Sequence, residues 1–422
     1  MVNKNITQNI GANLLFQNEK LSAQVGFGLM PTITDNTTNG NTYHDKVLNF
    51  APRARVMYDI NDNNNVRLFY NGRSSQPSTS QLMPVLDNSN PLRMSFGNPY
   101  LKPYFTHNMR SEYSFMDRAT FSSLRISLNG GMTINPVINT SWYGTNGATY
   151  SLPVNGPSSA NGSIMGFLNT PIAKSNFSIF NMFNTSYNSS YTYIGGRFDS
   201  SRFMTTDPVS GSITDFNYEL FHQTFPDLGK KDYEEFTLNH TQTWMLMERL
   251  NLTYRNDYLE IRAGGATNTR KSWYTVAANN STARTWNNQV NGSFNWTVGN
   301  SGLTIQTDMN YNWYNGYTTG HDPEYIWNAN ISMQVFKRQA TVALRAYDIL
   351  NQAKTLSVSD NGNVYSETHN NTLGRYVIVS FTWRFGTFSG FGGGRGMGGP
   401  GRGGFGGGRG GRGGFGGGRR PF

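Results

Sequence analysis

The feature that most constrains how this chain can fold is a two-residue period that recurs from residue 10 to residue 385. In Leu303–Trp313, Leu303, Ile305, Met309, Tyr311 and Trp313 fall on one parity, and Thr304, Gln306, Asp308, Asn310 and Asn312 on the other. Successive side chains of a strand point to opposite faces, so this segment is a ribbon with one apolar and one polar side. About fifteen such ribbons follow one another, with short polar turns alternating with long loops, which is the pattern of an antiparallel up-and-down transmembrane β-barrel.

The apolar sets pair into hairpins. Ile10, Ala12, Leu14 and Phe16 precede a Gln-Asn-Glu-Lys turn, and Leu21, Ala23, Val25, Phe27 and Leu29 follow it. Met109, Tyr113 and Phe115 turn at Asp117 into Leu124, Ile126, Leu128 and Met132, leaving Ser123, Arg125, Ser127 and Asn129 on the polar side. Trp327, Ala329, Ile331, Met333 and Val335 turn at Lys337 into Ala340, Val342, Leu344 and Ala346, and Val377, Val379, Phe381, Trp383 and Phe385 form the last strand. Between hairpins lie long polar connections at 30–46, 77–101, 139–160, 194–232, 275–284, 317–323 and 352–371. Long at one end and short at the other is the outer-membrane rule, which puts turns such as 17–20, 61–65 and 299–302 on the periplasmic side. A soluble β-sandwich also alternates, but its strands are typically about 5–6 residues and its loops lack this asymmetry.

Composition agrees. Only 36% of residues are hydrophobic and 14% charged, while aromatics reach 14%; polar lumen positions need no charge, so this suits a barrel better than a soluble α/β enzyme. The absence of cysteine excludes disulfides, thiolate metal sites and thiol nucleophiles. No apolar stretch approaches the ~20 residues of a spanning helix, and the N-terminus has no charged segment followed by an apolar one. The chain is therefore expected to be the C-terminal portion of a longer protein.

Several segments carry a resemblance. Gly97, Asn98, Pro99, Leu101, Lys102 and Pro103, in Gly-Asn-Pro-Tyr-Leu-Lys-Pro, lead into a strand; Pro52-Arg-Ala-Arg55 and Tyr70-Asn-Gly-Arg73 lie in the hairpin before it; Tyr347, Asp348, Leu350 and Asn351 lie in Tyr-Asp-Ile-Leu-Asn-Gln near the end. In this order they resemble the outer-membrane β-barrel family of Bacteroidetes, relatives of TonB-dependent receptors. The resemblance covers nearly all of residues 1–385 and implies part of a receptor barrel for ligand uptake in the cell outer membrane. Those receptors have about 22 strands around a plug, so the implied partners are outer-membrane lipid, a plug and further strands outside this chain, the TonB complex through that missing part, and the outer-membrane assembly machinery. The terminal-strand aromatics for assembly are expected to be Trp383 and Phe385.

Residues 386–422 differ in kind. They hold 21 of the 47 glycines and six arginines (395, 402, 409, 412, 419 and 420) with no acid, which leaves +4 of the +10 net charge for the rest. Gly401-Arg-Gly-Gly-Phe-Gly-Gly-Gly-Arg409 recurs ten residues later. Such a segment buries too little apolar surface to offset its backbone entropy, so a disordered periplasmic Gly/Arg-rich tail is expected. Arg-Gly-Gly-Phe repeats also resemble RNA-binding boxes, in which arginine meets phosphate and phenylalanine stacks on bases. Behind a barrel strand, facing a compartment poor in RNA, nucleic acid is a disfavoured partner.

No catalytic or metal-binding spacing occurs: the six histidines (44, 107, 222, 240, 321 and 369) are scattered, His321-Asp322 sits in a Gly/Thr-rich loop, and the acids at 234–235 and 322–324 read as solvated loop positions. No enzymatic activity, no cofactor and no metal are expected, and the ligand-binding residues are not legible. The alternatives are a porin-like or structural barrel without energised transport, and nucleic-acid binding through the tail.

Overall fold

The computed structural model describes residues 2–383, apart from 39–40, 85, 91, 145–146, 173–174, 210–212, 277–283, 318–321, 361–364 and 372. Phe385 and the Gly/Arg-rich segment 386–422 lie outside the described residues. The chain divides into a unit of Met1–Thr382 and a second of Trp383–Phe422, of which Trp383 alone is described.

The strands, in order, are β1 (Val2–Thr7), β2 (Ile10–Gln17), β3 (Leu21–Thr38), β4 (Asn41–Asn61), β5 (Asn64–Ser75), β6 (Leu86–Asn90), β7 (Arg93–Phe96), β8 (Tyr104–Asp117), β9 (Ser122–Ile134), β10 (Val137–Tyr143), β11 (Thr149–Asn155) and β12 (Ser159–Pro171). There follow β13 (Phe177–Arg197), β14 (Met204–Thr206), β15 (Ile213–Phe216), β16 (Phe236–Arg255), β17 (Leu259–Tyr274), β18 (Arg284–Thr297), β19 (Leu303–Asn315), β20 (Glu324–Val335), β21 (Ala340–Tyr347), β22 (Lys354–Asp360), β23 (Tyr365–Asn371) and β24 (Tyr376–Trp383). Two short α-helices, α1 (Thr79–Leu82) and α2 (Tyr218–Thr224), occur among the described residues.

Twenty strands share one sheet. β1 and β2 lie end to end along β3 and fill one place. β6, β7, β10 and β11 form a side ribbon. The remainder is an antiparallel meander of fifteen places, β1/β2, β3, β4, β5, β8, β9, β12, β13, β16 to β21 and β24.

The register keeps the period in phase from strand to strand. Ile126 of β9 faces Tyr113 on one side and Gly166 on the other, and Ile305 of β19 faces Trp296 and Ile331. The apolar face is open: Leu14 is 81% exposed, Val25 60% and Val379 73%. A sandwich would cover that face; a barrel presents it to lipid. The other face is tied by cross-strand amides, among them Asn330 Nδ2 to Gln306 Oε1 (2.8 Å) and Asn328 Nδ2 to Asp308 Oδ2 (2.9 Å). It is not uniformly roomy. Ser127, between Glu112 and Met165 in the register, is only 1% exposed.

Four of the short turns share one chemistry. Asn18 accepts from the N–H groups of Lys20 (3.0 Å) and Leu21 (2.7 Å), Asn61 from Asn63 (3.0 Å), Asp117 from Ala119 (2.9 Å), and Asn256 from Tyr258 (2.9 Å). Asn and Asp mimic a backbone turn in this way, and this fixes where each hairpin reverses. The β20–β21 turn instead places Phe336, Lys337 and Arg338 at positive φ.

Long and short connections alternate as expected, but several of the long ones are folded. Residues 30–46 continue the β3–β4 hairpin, which stays paired out to Thr38 and Asn41. Segment 352–371 holds the β22–β23 hairpin. The first strand starts at Val2, ahead of the expected start. Glu324, read as a solvated loop acid, opens β20 at 5% exposure with Tyr314 Oη 3.5 Å away. The described residues of segments 77–101, 139–160 and 194–232 build a compact cap.

Two neighbouring residues of β9 test the two-faced assignment. Leu128→Arg puts a charge on the lipid face, where it costs about 2–4 kcal/mol at the bilayer midplane. Asn129→Arg, on the polar face, should leave stability within about 1 kcal/mol of the parent, since surface changes usually stay this small. Urea unfolding in lipid vesicles measures both, and equal losses would contradict the assignment.

Candidate functional site

The cap begins where β13 and β16 run beyond the meander, still paired at Gly195 and Phe236. β10 joins β13 in parallel there, β11 pairs with β10, β7 with β11, and β6 with β7. The connection from β13 to β16 then folds over this ribbon through a 3-10 turn at Ser201–Phe203, the β14–β15 hairpin and α2. Asn217 caps α2 by accepting from the Leu220 N–H at 2.9 Å, while its own N–H donates to the Phe203 carbonyl at 2.7 Å.

What holds the connection down is aromatic. Trp142, Phe203 and Phe236 are fully buried, and Phe96, Tyr193, Phe216, Phe221 and Phe225 are nearly so. Phe96 stacks on Phe216 at 4.3 Å, Phe203 meets Phe221 edge-on at 5.1 Å, and Trp142 meets Phe236 edge-on at 5.8 Å. Each such pair adds about 0.5–1.5 kcal/mol beyond the area it buries. Tyr193 belongs to this core, and its hydroxyl donates to the Lys231 carbonyl. Gly195 is required by proximity, since a Cβ there would lie 2.6 Å from that of Trp142.

The Gly-Asn-Pro-Tyr-Leu-Lys-Pro segment is the strap that ties cap to sheet. A Cβ on Gly97 would fall 1.8 Å from the Met83 carbonyl oxygen. Asn98 donates from its side-chain nitrogen to the Pro153 carbonyl (2.8 Å), and its side-chain Oδ1 accepts from the Tyr100 N–H (2.9 Å). Leu101 is buried, whereas Pro99 is half-buried and Lys102 and Pro103 are exposed. The Lys102 backbone exchanges hydrogen bonds with Asn155 (2.7 and 3.0 Å), and Asn135 reaches the Pro103 carbonyl (3.0 Å). These residues therefore fix where β8 begins relative to β11.

Against this strap lies a cavity of about 290 Å³. Leu152, Val154, Phe221 and Phe225 give it an apolar wall, and Lys102, His222 and Lys230 give it polar edges. The His222 ring stacks on Tyr100 at 4.3 Å. The Tyr218 hydroxyl is buried with no hydrogen-bond partner among the described residues, and burial pushes its pKa up, which keeps it a donor. Asp227 is engaged by Lys231 at 3.0 Å and holds that ammonium above its ordinary pKa. The cavity suits a small ligand with an apolar body and an accepting polar group. Among the described residues no three His, Asp or Glu side chains gather to hold a metal ion.

The second signature is another knot. Asp348, at positive φ and 5% exposed, accepts from the N–H groups of Gln352 and Ala353, both at 2.9 Å, while its own N–H donates to Asn328 (2.9 Å). Asn351 accepts from the Arg375 N–H (2.9 Å), and Tyr347 stacks on Tyr376 at 4.8 Å, tying β20, β21 and β24. Leu350 is exposed. Trp383 ends β24 on the apolar parity. The cap residues were missed from sequence because 194–232 reads as a polar loop; the signal was Phe198, Phe203, Phe216, Phe221 and Phe225 within it.

A two-faced meander with its core displaced into a cap defines an outer-membrane β-barrel protein. The family model described as "Outer membrane protein beta-barrel family" matches residues 7–227, just over half of the 422 residues, and the chain belongs to that family. No curated protein matches the chain. Among solved structures it is similar to the ferric-catecholate import receptor Fiu from Escherichia coli K12, at 8% identity over 89% of this chain and 80% of that one, TM-score 0.33. It is also similar to a Pseudomonas aeruginosa FadL homologue (12%, 86% and 88%, TM-score 0.29) and to the siderophore receptor PiuA from Acinetobacter baumannii (10%, 89% and 62%, TM-score 0.35). Likeness this distant carries no argument about ligand.

Two substitutions separate cap from barrel. Trp142→Ala removes the centre of the aromatic core at a cost of about 3–5 kcal/mol, so limited proteolysis should cut residues 198–235 while the barrel keeps its heat-modifiable mobility. Asp348→Ala leaves two backbone N–H groups without their acceptor, at about 1–3 kcal/mol each, and should lower the urea midpoint of the barrel itself. Loss of the barrel in the first variant, or an unchanged midpoint in the second, would contradict these roles.

Proposed function

We propose that this chain forms wall and cap of an outer-membrane receptor for ligand uptake of the TonB-dependent kind, without enzymatic activity. The observation that carries the reading is the cap: three consecutive long connections fold onto one aromatic core at one end of the meander. A barrel serving only as an anchor or an open pore needs no such investment, whereas a receptor must hold a shaped surface toward its ligand. The cavity beside Tyr100, Tyr218 and His222 is the place of first capture, and the polar face of the strands is the path inward. The order of the Gly97–Pro103 and Tyr347–Asn351 signatures, which resembles that of TonB-dependent relatives, supports energised uptake over passive diffusion.

Sidedness and leak test this together. The sequence has no cysteine, so Val209→Cys in the cap and Ala119→Cys in the β8–β9 turn are each unique labels. In cells expressing the complete gene, a membrane-impermeant maleimide should label position 209 in intact cells and position 119 only after the outer membrane is permeabilised. The same cells should admit a small hydrophilic reporter antibiotic no faster than controls. Labelling from the opposite side would overturn the cap as a capture surface, and porin-like leak would favour the passive barrel.

A further inference from the structure

The polar face of β4, β5, β8 and β9 carries six arginines, and their register is ordered. Taking β8 as the ruler, Arg73 lies at the level of Thr106, Arg53 reaches the level of Asn108 through Asn71, and Arg55 reaches that of Arg110 through Phe69. Arg67 lies opposite Glu112, and Arg125 opposite Ser114. Every polar-face level from residue 106 to residue 114 thus holds at least one guanidinium, over about 27 Å at about 3.4 Å per residue.

Two acids share these levels, Glu112 and Asp59. Glu112 is engaged by Arg110 at 2.7 Å and lies 3.8 Å from Arg125. Arg53, Arg55, Arg67 and Arg73 are all exposed, and none pairs with a carboxylate among the described residues. Arg53 is steadied by Asn13 Oδ1 (2.8 Å), and Arg55 by the Phe69 ring (5.5 Å) and by Met57 Sδ. No lysine occupies a polar-face position of these four strands between levels 106 and 114. Packing alone would not choose arginine at every level or leave four of the six uncompensated. Planar forks that match carboxylate and phosphate oxygens two at a time are what arginine supplies and lysine does not. A face with six arginines against two acids also concentrates anions.

We propose that this ladder is a track for oxyanions, along which a ligand bearing carboxylate or phosphate groups passes from the cap end toward the short-turn end. The proposal rests on the proposed function, in which the polar face lines the uptake path. Each step exchanges one guanidinium contact for the next, so no single site holds the ligand tightly.

The test uses the full-length protein in detergent at low salt, with citrate, inorganic pyrophosphate and spermine titrated by calorimetry. The parent should bind citrate, pyrophosphate or both, and should not bind spermine. The variant Arg53→Ala/Arg55→Ala/Arg67→Ala spares the arginines that compensate Glu112 and should weaken oxyanion binding at least tenfold. The matching triple lysine variant should keep part of it, and Arg249→Ala, on the same face of β16, should change nothing. Preference for citrate or for pyrophosphate identifies the oxyanion and upholds the track. Should the triple alanine variant lose its heat-modifiable fold, Arg55→Ala and Arg67→Ala alone should each weaken binding two- to fivefold. Absent oxyanion binding by the parent, binding unchanged in the folded alanine variants, or equal binding of spermine would overturn the proposal. Correct sidedness without oxyanion binding would remove the track and leave the proposed function standing.

Discussion

Backbone hydrogen bonding in a medium without water governs the rest of the structure. Within hydrocarbon each N–H and C=O must find its partner in the protein, and a sheet of neighbouring strands is one of two ways to do so. That requirement imposes the two-residue period, because one face then meets lipid while the other lines a polar interior. It also imposes the in-phase register: a one-residue slip of β12 against β9 would bring Ser163, which lies opposite Asn129 on the polar side, to the lipid side. The Asn and Asp turns at residues 18, 61, 117 and 256 are where this register is set.

Beyond the bilayer the physics changes. The cap is held as a soluble domain is held, by burying Trp142, Phe203, Phe221 and Phe236 away from water. The two regimes meet in β13 and β16, whose outer-facing pairs near Leu250 and Leu252 serve the membrane and whose far ends serve the aromatic core. The strap at Gly97–Pro103 and the knot at Asp348–Asn351 sit at such transitions, where a strand ends and backbone groups need side-chain or loop partners. This is why Asn98, Asp348 and Asn351, among the residues that carry the family resemblance, direct their side chains to backbone groups.

The sequence made the meander legible because period and turn chemistry are local. Leu303–Trp313 reveals its faces without knowledge of its neighbours. The cap was not legible, because its core is assembled from Phe96, Trp142, Phe216 and Phe236, far apart in the chain and each isolated among polar residues. Likewise 30–46 looks like a loop, since Thr, Asn and Asp dominate it, yet pairing between β3 and β4 carries it as a hairpin. The arginine ladder is invisible along the chain for the same reason: Arg53, Arg67, Arg110 and Arg125 come together only through the register of four strands.

The two-faced strand is the central claim, and a cysteine scan along β9 tests it most directly. In the cysteine-free chain, single cysteines at positions 123 to 132, labelled and reconstituted, can be read with a nitroxide confined to lipid tails and with a water-soluble quencher. The account predicts quenching from lipid at 124, 126, 128, 130 and 132, and from water at 123, 125, 129 and 131, with 127 reached by neither. A profile without a two-residue period, or with the two quenchers exchanged, would contradict it.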